Sequence, residues 1–264
     1  MPPGSFGRVK AWSDFPTVPI TAAALVPLAG GNNMGDWGLI GVNEGSVTAT
    51  VDEPGGIIEI TTDTGDDDNH ALVAMGWRPS AGGMECEFRL KIVDSVAVDR
   101  AAVFVGFTET LALDTPVMPA ETDTTTTSYN GSGGMAGFVF DSAADVVRWR
   151  FVVGDGGSAL ATVGPTGTVG GAIGIDAEAG ITADRWWVFR VEVTTAGIAV
   201  GYIGDDSGTS NANKTMREVG RATAVLGTSD TFHATALIEN RSSANEIMEV
   251  DYAYANGWRD WASD

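Results

Sequence analysis

The chain has 264 residues, with 35 acidic against 15 basic side chains and a formal net charge of −20. Nucleic-acid binding draws its affinity from Lys and Arg neutralising phosphates, so this balance argues against DNA or RNA as a partner, and equally against an anionic membrane surface. One cysteine, Cys86, excludes an intrachain disulfide, while 35 glycines suit a fold with many tight turns.

Residues 1–35 carry five prolines (Pro2, Pro3, Pro16, Pro19 and Pro27) and almost no apolar alternation, so they read as an extended N-terminal arm. Within that arm Phe6, Arg8, Lys10, Trp12 and Phe15 combine aromatics and cations on an otherwise acidic chain. They are the candidate anchoring residues, because aromatics seated in a partner's groove commonly dominate an interface. The arm begins without the apolar core of a signal peptide, and no apolar run approaches about 18 residues, so folding in a cytoplasm is expected.

From residue 36 onward, period-two alternation takes over. Strands are expected at Gly56–Thr61, His70–Met75, Met84–Ile92, Ala101–Thr108, Ala136–Phe140, Val146–Val153, Trp186–Val193, Gly197–Ile203, Thr235–Glu239 and Met248–Tyr254. In the clearest of these, Met84, Cys86, Phe88, Leu90 and Ile92 share one face, and Glu85, Glu87, Arg89 and Lys91 share the other. Near the C-terminus, Met248, Val250, Tyr252 and Tyr254 are expected to face inward, with Glu249 and Asp251 outward. Long loops are expected at about 112–135 and 154–183, and a short helix around Asn213–Val219. Ten or more strands joined by Gly-rich turns predict an all-β, antiparallel two-sheet sandwich over residues 36–264.

Glycoside hydrolysis needs two carboxyls, either about 5 Å or roughly 6.5–9.5 Å apart. Glu85 with Glu87, and Glu249 with Asp251, each lie two residues apart on a strand and so share a face. The simpler reading is that they balance Arg89, Lys91 and cross-strand neighbours. No catalytic residues are therefore assigned, and the chain is expected not to be an enzyme. Cys86, on an apolar face between two carboxylates, is a poor nucleophile. His70 and His233 show no metal-ligand spacing with it. Calcium is the one cofactor the sequence leaves open, through the acidic turn Asp66, Asp67 and Asp68, with Asp205 and Asp206 a weaker candidate. Trp186 is a candidate outward platform beside Trp187, and Trp77, Trp258 and Trp261 fall near strand ends.

Taken in succession, Gly55–Thr62, Asp66–Ala71, Met84–Asp94, Val103–Thr110, Gly137–Phe140, Trp186–Thr194 and Val250–Tyr252 resemble the concanavalin A-like jelly-roll domains of structural proteins of tailed bacteriophages. The strand pair Glu249-x-Asp251 matches only the first two acids of the hydrolase motif known on this fold. The resemblance implies a virion structural protein that folds in the host cytoplasm, binds the outer capsid surface and reinforces it. Its implied partners are the major capsid protein and further copies of itself as a homo-oligomer. The alternative is a carbohydrate-binding or receptor-binding fibre module with a host glycan as partner; a glucanase-like hydrolase is a third reading.

Overall fold

The computed structural model describes residues 8–13, 33–34, 37–41, 45–50, 56–64, 69–93, 100–109, 118–123, 126–129, 133–144, 148–155, 161–163, 173–179, 184–205, 216–222 and 226–258. In chain order the strands are β1 (Arg8–Ser13), β2 (Asn33–Met34), β3 (Trp37–Gly41), β4 (Ser46–Thr50), β5 (Ile57–Thr61), β6 (Asn69–Trp77), β7 (Met84–Val93), β8 (Ala101–Thr108), β9 (Ala120–Asp123) and β10 (Thr126–Tyr129). They continue as β11 (Gly134–Asp141), β12 (Arg148–Asp155), β13 (Ala161–Val163), β14 (Ile173–Ala179), β15 (Trp187–Val193), β16 (Ala199–Asp205), β17 (Arg217–Ala222), β18 (Phe232–Asn240) and β19 (Ile247–Trp258). One 3-10 turn, η1 (Pro79–Ala81), separates β6 from β7, and no α-helix occurs among the described residues.

Two sheets face each other. The first runs β17-β16-β15-β7-β19-β5-β4, with β1 added beside β19; the second runs β13-β14-β12-β11-β8-β18-β6-β3-β2. Pairing is antiparallel throughout the described strands except between β13 and β14. The spine of the first sheet is β19. It pairs with β7 along nearly its whole length, while its other edge is shared: Ile247–Val250 pair with β5, and Ala253–Trp258 with β1.

The alternation seen in the sequence is the alternation of burial. Along β7, residues from Met84 to Ile92 are alternately buried and half-buried, and the buried set joins the intersheet core. That core is aromatic where the sheets meet. Trp149 of β12 lies 4.4 Å, centroid to centroid, from Phe189 of β15, which also lies 5.1 Å from Phe138 of β11. Such tilted contacts add to the large apolar area these rings bury. At Gly201 the sheets approach so closely that a Cβ would come within 2.4 Å of the Phe151 ring, which is why a glycine occupies this mid-strand position.

Strands β8 and β11 are buried at every position, on both faces. The outward side chains Ala102, Phe104, Val139, Val152 and Leu237 pack beneath Met118 and Ala120, so a third, partial layer covers the second sheet.

Four sequence expectations differ from this picture. Residues 112–135, expected as a loop, contain the hairpin β9–β10; its threonines look polar, but their β-branched side chains suit a strand. Residues 154–183 likewise contain β13 and β14, where Ile173 and Ile175 supply an alternation that the surrounding Gly and Ala obscure. The expected helix is replaced by β17 from Arg217 onward. In the arm, Arg8–Ser13 form β1, a strand of the first sheet, and Asn33–Met34 form β2 in the second.

Candidate functional site

The outward face of the first sheet holds the largest described collection of polar and aromatic side chains that are partly open to solvent. Cross-strand register assembles it in rows. Arg190 of β15 stands between Tyr202 of β16 and Glu87 of β7, and Glu87 faces Tyr254 of β19. In the next row Glu192 faces Glu85, which faces Asn256. On the other side of the Arg190 row, Arg89 faces Tyr252, and beyond it Lys91 faces Glu249.

A bulge makes this face. The register of β19 against β7 shifts between Val250 and Tyr252, and Asp251 is the extra residue. Before the bulge Met248 and Val250 point into the core; after it Ala253 and Ala255 do. Tyr252 and Tyr254, expected to face inward, are therefore turned out onto the polar face. This corrects the sequence reading, and its cause is the half-period that a bulge inserts.

The outward tyrosines are tied to the glutamates. Tyr252 Oη donates to Glu87 Oε1 at 2.7 Å, and Tyr254 Oη to Glu85 Oε1 at 2.8 Å. Asn256 Nδ2 donates to the same Glu85 oxygen at 2.7 Å. Arg190 lies among three carboxylates: its Nη2 is 3.0 Å from Glu85 Oε2 and 2.7 Å from Glu192 Oε1, and its Nη1 is 3.9 Å from Glu87 Oε2. Burial works against that cation, but Glu192, Glu85 and Glu87 outweigh it and hold the guanidinium pKa above its ordinary value. Burial, with the bond to Glu87, raises the phenol of Tyr252 far above its ordinary range. Tyr202 is raised as well, first by burial and then by Glu192.

The other acids found by sequence are paired as the simpler reading expected. Arg89 Nη1 lies 2.6 Å from Asp251 Oδ2, and Lys91 Nζ 2.9 Å from Glu249 Oε2. Trp186 does reach this side of the sheet, but its ring is capped: Arg89 lies 4.3 Å from the ring centroid and Lys91 5.0 Å. Trp187 is buried in the core, as is Trp77. Trp258 is the one large hydrophobic exposed among the described residues, and Trp261 lies outside them.

The anchoring candidates divide. Phe6 and Phe15 lie outside the described residues. Arg8, Lys10 and Trp12 occupy alternate positions of β1, opposite Trp258, Asn256 and Tyr254 respectively. The calcium candidates Asp66, Asp67 and Asp68 lie outside the described residues, as does Asp206, and Asp205 is the last residue of β16. Among the described residues no group of three or more His, Cys, Asp or Glu is placed to hold a metal ion. Cys86 is buried; burial first, then the nearby Glu87 and Glu85, push its thiol well above the ordinary range, so it is no nucleophile. His70 is fully buried and packs against Gly45, whereas His233 is half-buried with Nδ1 3.3 Å from the Ala74 carbonyl oxygen.

No protein-family model matches the chain, and no curated protein matches it in sequence. Solved structures do share its architecture. A protein of unknown function from Shewanella oneidensis MR-1 is 14% identical, with 97% of this chain and 89% of that one covered, at a TM-score of 0.53. Arcelin-5, a lectin-like defense protein from Phaseolus vulgaris, is 8% identical, with 96% and 100% covered, at 0.50. The exoplasmic/lumenal domain of VIP36 in a Ca2+/Man2-bound form is 12% identical, with 91% and 88% covered, at 0.49. At these identities the likeness is one of fold. The chain has a lectin-like, concanavalin A-like β-sandwich fold.

Proposed function

We propose that this protein is a carbohydrate-binding module whose glycan surface is the outward face of the first sheet. The observation that carries the reading is the fixed polar array of Glu85, Glu87, Glu192 and Arg190, interleaved with Tyr202, Tyr252 and Tyr254 and braced at Glu85 by the buried amide of Asn256. A sugar ring offers hydroxyls at its edge and C–H groups on its faces. Recognising it takes planar polar groups held rigidly, so that little ordering entropy is lost on binding, together with partly open aromatic rings. The lectin-like fold is the context in which such a face is read, and fold alone would not carry it.

On the phage resemblance of the sequence, the module would ride on a virion as a receptor-binding fibre domain. A decoration protein on the outer capsid surface, binding the major capsid protein, is the form that resemblance first suggests. Folding in the host cytoplasm and homo-oligomerisation belong to the same proposal. A concave-sheet hydrolase is disfavoured because Glu85 and Glu87 are already engaged by Tyr, Asn and Arg donors of the same face, which leaves no carboxyl pair set aside for a leaving group and a water.

The test is a screen of the purified chain against oligosaccharides, repeated with Tyr254→Phe and Asn256→Ala. Both changes remove donors to Glu85; because Asn256 is buried, each variant is checked for an unchanged circular dichroism spectrum, and each is expected to weaken binding by about five- to tenfold. Binding that both variants leave untouched would place the sugar elsewhere. Addition to pre-formed capsids without any glycan binding would favour the decoration reading.

A further inference from the structure

On the glycan reading of this face, the donor and acceptor chemistry of the face selects among sugars. Its described cations include Arg89, Lys91, Arg190 and, on the edge strand β17, Arg221, and all four are engaged by carboxylates of the same face: Asp251, Glu249, the trio Glu85, Glu87 and Glu192, and Glu218. Arg89 and Lys91 are further committed to the Trp186 ring. The neutral donors are spent in the same way, since the hydroxyls of Tyr252 and Tyr254 and the amide of Asn256 are directed at Glu87 and Glu85.

The acceptors are less used. An ionised carboxylate accepts and never donates, and offers about four lone-pair positions. Glu192 is met by Arg190 at 2.7 Å and by Tyr202 only at 3.5 Å, and its side chain is 35% exposed. Glu87 meets Tyr252 closely but Arg190 only at 3.9 Å, and is 27% exposed. The rows around Arg190 thus leave Glu87 and Glu192 partly open as acceptors, while the guanidinium, though itself part-exposed, is shared among three carboxylates.

We infer that the ligand of this face is an uncharged, hydroxyl-rich glycan, and that uronates, sialylated and sulfated sugars are excluded. A hydroxyl supplies a further donor to the acceptor positions of Glu87 and Glu192 that their protein partners leave open. A carboxylate or sulfate on the ligand is acceptor-only, and would have to displace Glu85, Asp251 or Glu249 from its cation while facing their charge. The residues that set this selectivity are Glu87 and Glu192, whose charge is only partly matched by the single guanidinium between them.

The experiment compares glycans matched in backbone and differing in charge: cello-oligosaccharides against their C6-oxidised uronates, galactans against polygalacturonate, and mannans against polymannuronate. The uncharged member of each binding pair is expected to bind at least about tenfold tighter. In the double variant Glu87→Gln, Glu192→Gln, checked for an unchanged circular dichroism spectrum, that ratio is expected to shrink. Equal or tighter binding of the uronate overturns the inference while leaving the glycan reading intact. A ratio unchanged in the double variant overturns the assignment of selectivity to these residues. Silence of every glycan, charged and uncharged, overturns the glycan reading and this inference with it.

Discussion

Asp251 occupies the bulge of β19, and the phase it shifts decides which side chains reach the polar face. The signal for it was in the sequence: Met248 and Val250 are followed by Ala253 and Ala255, so the inward positions are spaced by three at one point. Large tyrosines two residues beyond Val250 made the unbroken alternation the natural reading, and small alanines hid the true inward phase. The four acids Glu85, Glu87, Glu249 and Asp251 and the burial of Cys86 were legible because period-two alternation fixes them whatever the partner strands are. Their partners Tyr252, Tyr254, Asn256 and Arg190 were not, because register across strands distant in sequence is set by tertiary pairing. A single residue also sets a pH response. Burial lowers the pKa of His233 from 6.5, outweighing its contact with the Ala74 carbonyl. The native state therefore binds that proton more weakly than the unfolded chain, and the associated stability is present above about pH 6.5 and lost as the pH falls below it. The melting temperature is expected to drop between about pH 6.5 and 5 with a shallower slope in His233→Gln; parallel slopes for the two proteins would show that another group is responsible.

Two elements that read as loop or tail turn out to be fastened to the sandwich. The β9–β10 hairpin lies over the second sheet, and Arg241 is its clip: the guanidinium meets Glu121 of β9 at 3.5 Å, Asp141 of β11 at 3.2 Å, and Glu239 of β18. Asp141 and Glu239 are almost wholly buried, so removing Arg241 takes a countercharge from two carboxylates in a poorly solvated place. Arg241→Met is expected to destabilise the fold by about 3–5 kcal/mol, and Glu121→Gln, at the solvent edge of the clip, by about 1 kcal/mol or less. Denaturant titration of the two variants checks the order, and equal losses would mean that Arg241 serves the hairpin alone. Strand β1 is the other case. Its six residues close the edge of β19 from Ala253 to Trp258, so deleting residues 1–18 removes a ladder as well as the candidate anchors Phe6, Arg8, Lys10, Trp12 and Phe15. The truncated protein is expected to melt lower while retaining the sandwich, and to lose addition to capsids if the arm is the anchor. Undiminished addition would remove the arm from that role. The sequence hid β1 because its alternation, Val9, Ala11 and Ser13 against Arg8, Lys10 and Trp12, has too little apolar contrast to mark a face.

At the scale of the whole molecule, two sheets with an aromatic core form a scaffold that does not itself choose between binding and catalysis, so the choice falls to the face of one sheet. The net charge of −20 bears on the choice too, because it disfavours polyanions as ligands before any local contact is made. Catalysis by a carboxylate pair requires two acids in opposite protonation states, one to protonate the leaving oxygen and one to attack or activate water. On this face Glu85 and Glu87 share one guanidinium and each accepts a tyrosine hydroxyl, while Asp251 and Glu249 are closed by Arg89 and Lys91. All four acids are committed to donors of the same face, and no two of them stand in the contrasting surroundings that an acid and a base demand. The protein is accordingly expected to bind glycans without turning them over. Incubation with β-glucans and galactans, followed by reducing-end assay, should give rates at background for the native chain, for Glu85→Gln and for Glu249→Gln. Robust turnover abolished by either substitution would make this face an active site, and would assign the spare acceptor positions of Glu87 and Glu192 to a reacting water instead of a sugar hydroxyl.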